Sequence, residues 1–173
     1  MLAIMETSLH PIQMIDVGSK PITLRTATAS GRLVMQPATL AAIREGRLAK
    51  GDPIATARLA GIMAAKRTAD IVPLCHPLPL DGVDISLQCI ATAEGGPAVT
   101  IRATVRATAK TGVEMEALAA VTAAALTVYD MTKSIDRGMT IEAVQLESKT
   151  GGSRGDYDRS AGATDRDLTT VPE

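Results

Sequence analysis

The middle of the chain does most to fix what it can become. Two runs alternate apolar and polar residues, Val83 to Thr92 and Ala98 to Thr108, and Glu94-Gly95-Gly96-Pro97 separates them. Alternation sends every second side chain to the same face of a strand, and a Gly-rich break between two such runs is a hairpin signal. Val83, Ile85 and Leu87 then share one face of the first strand, and Val99, Ile101, Ala103 and Val105 share one face of the second. An antiparallel pair with one apolar face needs a second layer to cover it.

The flanking sequence supplies that layer. Pro37 suits the first turn of a helix over Ala38 to Glu45, which Gly46 stops. Asp52 can cap and Pro53 can open a second helix, Ile54 to Arg67, in which Gly61 would let another element pack closely. After the hairpin, Thr111 and Glu114 have the spacing of a capping box at the start of a long helix, Glu114 to Ile135. Leu118, Val121, Ala125 and Val128 give that helix its apolar period. A strand from Ile22 to Met35, with a bulge or bend at Ser30-Gly31, precedes these elements, and one from Thr140 to Glu147 follows them. Merging the first two helices into one crossover gives β-α-β-β-α-β. That order predicts an α+β fold, a ferredoxin-like split β-α-β sandwich whose antiparallel sheet carries its helices on one face. Residues 14–150 read as a single catalytic domain, between a flexible N-terminal arm, 1–13, and a flexible, Gly-rich C-terminal tail, 151–173.

With two Tyr, no Phe and no Trp, the core must be built from Ala, Leu, Ile, Val and Met. Small side chains let helices approach closely but bury less area each, which favours further burial in an oligomer. The missing aromatics argue against RNA binding on an exposed sheet, and a net charge of −1 argues against a general nucleic-acid binder. The longest apolar segment, Val113 to Met131, is interrupted by Glu114, Glu116 and Asp130, so no membrane span is expected. The N-terminus does not read as a signal peptide, and two Cys fit a reducing, cytoplasmic setting. A zinc site of Cys and His would need both Cys and both His to converge.

Four groups of residues could carry chemistry. In Leu74-Cys75-His76-Pro77 a proline-framed imidazole is aimed by a stiff backbone; it can meet a phosphate or move a proton. The same residue can be an ordinary loop His, and Cys75 ordinary filler. Lys110-Thr111-Gly112-Val113-Glu114-Met115-Glu116 places a Lys and backbone N–H groups at a helix start, a natural anion site. Its two carboxylates already complement the helix dipole, and they could also accept from the N–H edge of a guanine-like ring. Asp130 and Lys133 share a helix face. In a cleft they make an acid/base pair; in open water they are an ion pair of little energetic consequence. Lys50, Arg58, Lys66, Arg67, Lys149 and Arg154 are basic positions, and Lys149 to Arg154 is not a P-loop because its Gly and Lys order is wrong.

Read in order, the segments resemble one family. Lys50-Gly51-Asp52, Ala55-Thr56-Ala57-Arg58, Ala64-Ala65-Lys66-Arg67-Thr68, Pro73-Leu74-Cys75-His76-Pro77-Leu78, Lys110-Thr111-Gly112-Val113-Glu114-Met115-Glu116-Ala117, Tyr129-Asp130-Met131 and Lys149 before Gly151-Gly152 are similar to the motifs of the molybdenum cofactor biosynthesis protein C family, the cyclic pyranopterin monophosphate synthases. The match runs from about Met14 to Arg154. The resemblance implies a ferredoxin-like enzyme that converts 3′,8-cyclo-7,8-dihydroguanosine 5′-triphosphate to cyclic pyranopterin monophosphate and releases pyrophosphate. It implies a hexamer, a trimer of dimers, with sites between subunits. It makes Asp130 and Lys133 the acid/base pair and Lys50 a further catalytic or triphosphate contact. It makes Leu74, Cys75, His76, Glu114, Met115, Glu116 and Lys149 the substrate contacts. No resident cofactor is implied; Mg2+ would arrive with the triphosphate, and no dedicated oxygen cage is visible.

Helix geometry adds a constraint. Glu116 and Asp130 would stand about 21 Å apart along one helix. The two ends are therefore expected to serve different sites, or one site assembled from two subunits. The rival reading is a ferredoxin-like ligand-binding module without catalysis.

Overall fold

The hairpin forms, and the expected apolar residues of its two strands lie opposite one another. In a computed structural model, residues 12–92 and 95–161 are described. Strand β2 (Gly82–Ile90) pairs antiparallel with β3 (Ala98–Ala109), placing Val83 opposite Val105, Ile85 opposite Ala103 and Leu87 opposite Ile101. Strand β1 (Thr23–Val34) lies on the other side of β3, followed by β4 (Thr140–Thr150) and a two-residue edge strand, β5 (Tyr157–Asp158). The sheet order is β2-β3-β1-β4-β5, every pairing antiparallel. The four main strands have the arrangement of a ferredoxin-like α+β sandwich.

Helices α1 (Pro37–Arg44), α2 (Pro53–Ala65), the short α3 (Thr68–Ile71) and α4 (Glu114–Thr132) complete the described elements. Helix α4 packs on β1, β3 and β4, and α2 packs on β2 and α4. The core is Ala- and Val-rich, including Ala27, Ala29, Ala103, Ala117, Ala120, Val121, Ala124 and Val128. Two glycines show how near the layers come. A Cβ on Gly31 would stand 2.7 Å from Val121 Cγ1, and one on Gly61 would stand 2.9 Å from the Ala120 carbonyl. The close approach expected at Gly61 is therefore met by α4. The sheet's other face carries Thr26, Ser30, Thr100, Arg102 and Thr104, half-buried or exposed.

Local structure departs from the sequence reading in several places. Asp52 caps α2, accepting from Ile54 N at 2.8 Å and Ala55 N at 3.1 Å, as expected. The capping box does not form: Val113 is the N-cap of α4, with no side-chain cap. The N-cap lies two residues beyond Thr111, so Glu114 occupies the helix's first position rather than the third that a box needs. Helix α4 ends at Thr132, short of the expected Ile135. Opposite Ser30-Gly31 the register does shift, but the extra residues belong to β4, where Ala143 takes φ 51°. Pairing with β3 runs through Gly31 unbroken, so β1 has no freedom to bulge there. The expected C-terminal tail does not begin as loose chain at Gly151. Tyr157 and Asp158 pair with Lys149 and Ser148, and Arg159 donates to the Leu146 carbonyl at 2.8 Å. Unpaired groups on the edge of β4 provide those partners. The N-terminal arm, apart from residues 12 and 13, and the chain after residue 161 lie outside the described residues.

Candidate active site at the two ends of helix α4

At its C-terminal end, α4 carries Asp130 in the last turn and Lys133 as C-cap. Lys133 Nζ lies 2.7 Å from Asp130 Oδ1. Lys50, on the turn between α1 and α2, reaches over and donates to Asp130 Oδ2 at 2.6 Å and to the Asp130 carbonyl at 3.1 Å. One carboxylate is thus held by two ammonium groups, one of which also satisfies a carbonyl in the helix's last turn. Hydrogen bonds from Lys133 and then Lys50 hold the Asp130 carboxyl at about 2, below the ordinary carboxylate value. At neutral pH it is a carboxylate. The cluster is open to water: the side chains of Lys50, Asp130 and Lys133 remain 51%, 53% and 53% exposed.

The N-terminal end of α4 is a different environment. The loop after α3 brings Leu74, Cys75 and His76 against Glu114 and Met115, and these five residues line a cavity of about 470 Å3. Ile15, Val17 and Val72 make much of the rest of its wall apolar. A second cavity, about 220 Å3, adjoins it and shares Ile15, Lys20, Thr111, Gly112 and Glu114. Its further lining includes Arg25, Lys110, Lys149 and Arg154. Lys149 Nζ stands 3.1 Å from Glu114 Oε1, so the carboxylate that the box would have used for capping instead holds a cation from β4.

Glu116 points elsewhere. It is 2% exposed and lines a third cavity, about 220 Å3, with Lys66, Arg67, Asp70 and Pro77. The Cys75 thiol donates to Glu116 Oε1 at 3.6 Å, while Oε2 is buried with no partner among the described residues. Burial raises the Glu116 carboxyl above its ordinary value. Burial, and then the neighbouring Glu116 charge, push the Cys75 thiol up to about 11. Cys75 is therefore a thiol, not a thiolate nucleophile, at neutral pH.

Two groupings of the sequence candidates thus emerge. Lys50, Asp130 and Lys133 meet at one end; Leu74, Cys75, His76, Glu114, Met115 and Lys149 gather at the other. Glu116 adjoins the second group only through Cys75. Asp130, Lys133 and Lys50 line none of the three cavities. Another cavity, about 370 Å3, lies on the open sheet face among Ser30, Arg32, Gln88 and Arg102, away from both groups. Among the described residues no three His, Cys, Asp or Glu side chains gather as a metal cage.

Three residues of consequence escaped the sequence reading. Arg25 is buried on the helix-facing side of β1 and donates to the carbonyls of Ala109 and Lys110, each at 3.3 Å. Its parity with Ala27, Ala29 and Leu33 was the available signal, an Arg in step with the buried face. Lys20 belongs to no motif or element of the sequence reading, yet it lines both adjoining cavities. Asp136 is buried and accepts from Gln36 N at 2.9 Å and Thr39 Oγ1 at 3.3 Å, closing the start of α1 from a hundred residues away. No local pattern announces such a contact.

Fold and site together define an α+β sandwich protein in which a largely apolar cavity adjoins one lined by Lys and Arg side chains. A family model described as the MoaC family matches residues 14–152. The cyclic pyranopterin monophosphate synthase of Parvibaculum lavamentivorans is 56% identical over 145 residues, covering 84% of this chain and 89% of that protein. Proteins of the same name from Thermomicrobium roseum and Brevibacillus brevis are 55% and 53% identical, each over 147 residues, covering 85% of this chain and 87% and 89% of theirs. The chain belongs to the MoaC family.

Proposed function

We propose that this chain is a lyase of molybdenum cofactor biosynthesis that converts 3′,8-cyclo-7,8-dihydroguanosine 5′-triphosphate to cyclic pyranopterin monophosphate and releases pyrophosphate. The observation that carries the reading is the Lys50–Asp130–Lys133 cluster, a carboxylate with an ammonium on each oxygen at 2.6 and 2.7 Å. Such a group moves protons in both directions: Asp130 enters as the base, and a lysine enters as the acid. The rearrangement of a purine-derived ring needs both. Leu74, Cys75, His76, Glu114, Met115 and Glu116 contact the heterocycle in this reading, and Lys149 contacts the phosphate chain. No resident cofactor is needed in this reading; any Mg2+ would come with the triphosphate.

The reading also requires assembly. The cluster lines none of the three cavities at the other end of α4, and the hexamer of the resemblance, with sites between subunits, would present it to such a cavity of another protomer. Leu59 and Met63 on α2 and Leu126 on α4 are exposed apolar side chains that a neighbouring copy would cover. The catalytic unit spans residues 14–150 and works in the cytoplasm. Consistent with that setting, no helix among the described residues is long and apolar enough to cross a membrane.

The test is direct. The purified chain is incubated with the cyclised GTP-derived triphosphate, and the pterin product and pyrophosphate are assayed together. Equimolar appearance of both is expected. Absence of both from a folded, oligomeric preparation overturns the reading.

A further inference from the structure

We infer that Asp136 is a positioning residue for the proposed reaction: its buried carboxylate ties the turn after α4 to the start of α1, and so keeps Lys50 within reach of Asp130. The inference rests on the proposed function and goes further, because it names what holds the catalytic cluster in place.

The cluster does not hold itself. Lys50 and Asp130 belong to different segments and meet in open water, 51% and 53% exposed. Exposed ion pairs contribute little to stability, and a lysine stem is long and flexible. Packing between the two helices does not set the distance either. Helix α4 packs on β1, β3, β4 and α2, and α1 is not among its extensive partners. Leu40, Ala42 and Ile43 seat α1 on the core, but apolar burial is non-directional.

Asp136 supplies the directional tie. It is 8% exposed. Its Oδ2 accepts from Gln36 N at 2.9 Å and from Thr39 Oγ1 at 3.3 Å, and its Oδ1 accepts from Gly138 N at 2.9 Å. Gln36 is the N-cap of α1, a helix with no side-chain cap and no acidic residue in its first turn. In a capping box, a Glu at the third helical position reaches back to the N-cap N–H. Thr39 holds that position here, and Asp136 makes the bond from outside the helix. A negative charge is also favourable at a helix N-terminus.

Both sides of the tie lead to the cluster. On one side, Ile135 N and Asp136 N donate to the Thr132 carbonyl at 2.9 and 3.2 Å, and the Tyr129 hydroxyl donates to the Arg137 carbonyl at 3.1 Å. The turn is thereby folded onto the stretch of helix that carries Asp130 and Lys133. On the other side, Arg47 N donates back to the Ala42 carbonyl at 3.0 Å, Leu48 is buried, and Gly51 N closes on the Leu48 carbonyl at 3.1 Å. Lys50 sits within that last turn. Proton transfer needs hydrogen-bond reach, and a displacement of about 1 Å can cost about 100-fold in rate.

The experiment is a double-mutant cycle on the full-length chain, with kcat counted per folded chain by circular dichroism. Asp136→Ala should lower kcat about 10- to 100-fold and move KM less than about twofold, because the cavities are untouched. In a Lys50→Ala background the same substitution should change kcat less than about twofold, since the group it positions is gone. Asp136→Asn keeps one acceptor and should recover part of the loss; where the Ala variant does not fold, Asn carries the same cycle. Hydrogen exchange should quicken over residues 36–51 of either variant, with α2 unchanged. An unchanged kcat, equal losses in the two backgrounds, or unaltered exchange over residues 36–51 would overturn the positioning role and leave the proposed function standing. A wild-type chain that makes no pterin, with exchange quickened in the Asp136 variants, would overturn the proposed function and leave the tie.

Discussion

The two ends of α4 handle charge in opposite ways. At the C-terminal end three charged side chains meet in open water, satisfied by one another, and line none of the three cavities described above. At the N-terminal end most charges are half-buried or buried, two cavities adjoin, and among the described residues a carboxylate oxygen lacks a hydrogen-bond partner and a guanidinium lacks a partner of opposite charge. The first end is mutually paired and open to water. The second has room and is electrostatically incomplete. Groups that must move protons profit from accessible partners, whereas groups that must grip an anion profit from desolvation. One helix cannot put both properties at one point, since its ends are about 21 Å apart. The difference points to a site completed between protomers.

The largest effect expected is at the open end. Asp130→Asn keeps the shape and removes the charge, so turnover should fall by about 100- to 10,000-fold. Substrate affinity, measured by calorimetry, should change only a few-fold, because the cavities are elsewhere. Since Asp130 titrates at about 2, its ionisation cannot account for any loss of wild-type activity above about pH 4. Unchanged turnover in the Asn variant would break the contrast at its root. Complementation is the next largest effect. Asp130→Asn chains mixed with His76→Ala chains, each inactive alone, should regain about a quarter of wild-type activity if every site takes its two ends from different protomers. No recovery after verified subunit exchange would place both ends in one protomer's site.

These contrasts were unevenly legible in the sequence. The hairpin and its buried face could be read because alternation fixes which side chains share a face; the register, Val83 opposite Val105, depends also on the connection between the strands. The cap at Asp52 could be read because it depends on the next three residues alone. The Asp130–Lys133 pair follows from spacing on a helix, but nothing local places Lys50 on the same carboxylate. Arg25, Lys20 and Asp136 work through partners far along the chain, and their burial is set by packing. Glu114 and Glu116 look alike in sequence; two residues of helix, a rotation of about 200°, send them to different cavities.

A smaller effect tests the packing that separates the two ends. Gly61→Ala puts a methyl within 2.5 Å of Ile85 Cδ1 and 2.9 Å of the Ala120 carbonyl, forcing α2 away from α4. Overpacking of this kind costs about 1–3 kcal/mol, partly offset by better helix propensity, so thermal unfolding should drop several degrees. No change would mean that α2 slides freely, and that the loop carrying Cys75 and His76 is not held in place by the helix before it.

The smallest effect concerns Glu116. Burial raises its native carboxyl value, whereas in the unfolded chain the group ionises in the ordinary range. Below that range both states are protonated and the group does not bias folding. As pH rises toward the native value, only the unfolded state gains by ionising, so the native state loses relative stability until it too ionises. Gln is neutral throughout and nearly isosteric. Glu116→Gln should therefore match wild type most closely near pH 4 and exceed it by a few degrees in Tm at pH 8. A Tm difference independent of pH would mean that water or a neighbouring protomer already satisfies the buried Oε2. The N-terminal end would then be less incomplete than its isolated fold makes it, and the contrast between the two ends would rest on Arg25 alone.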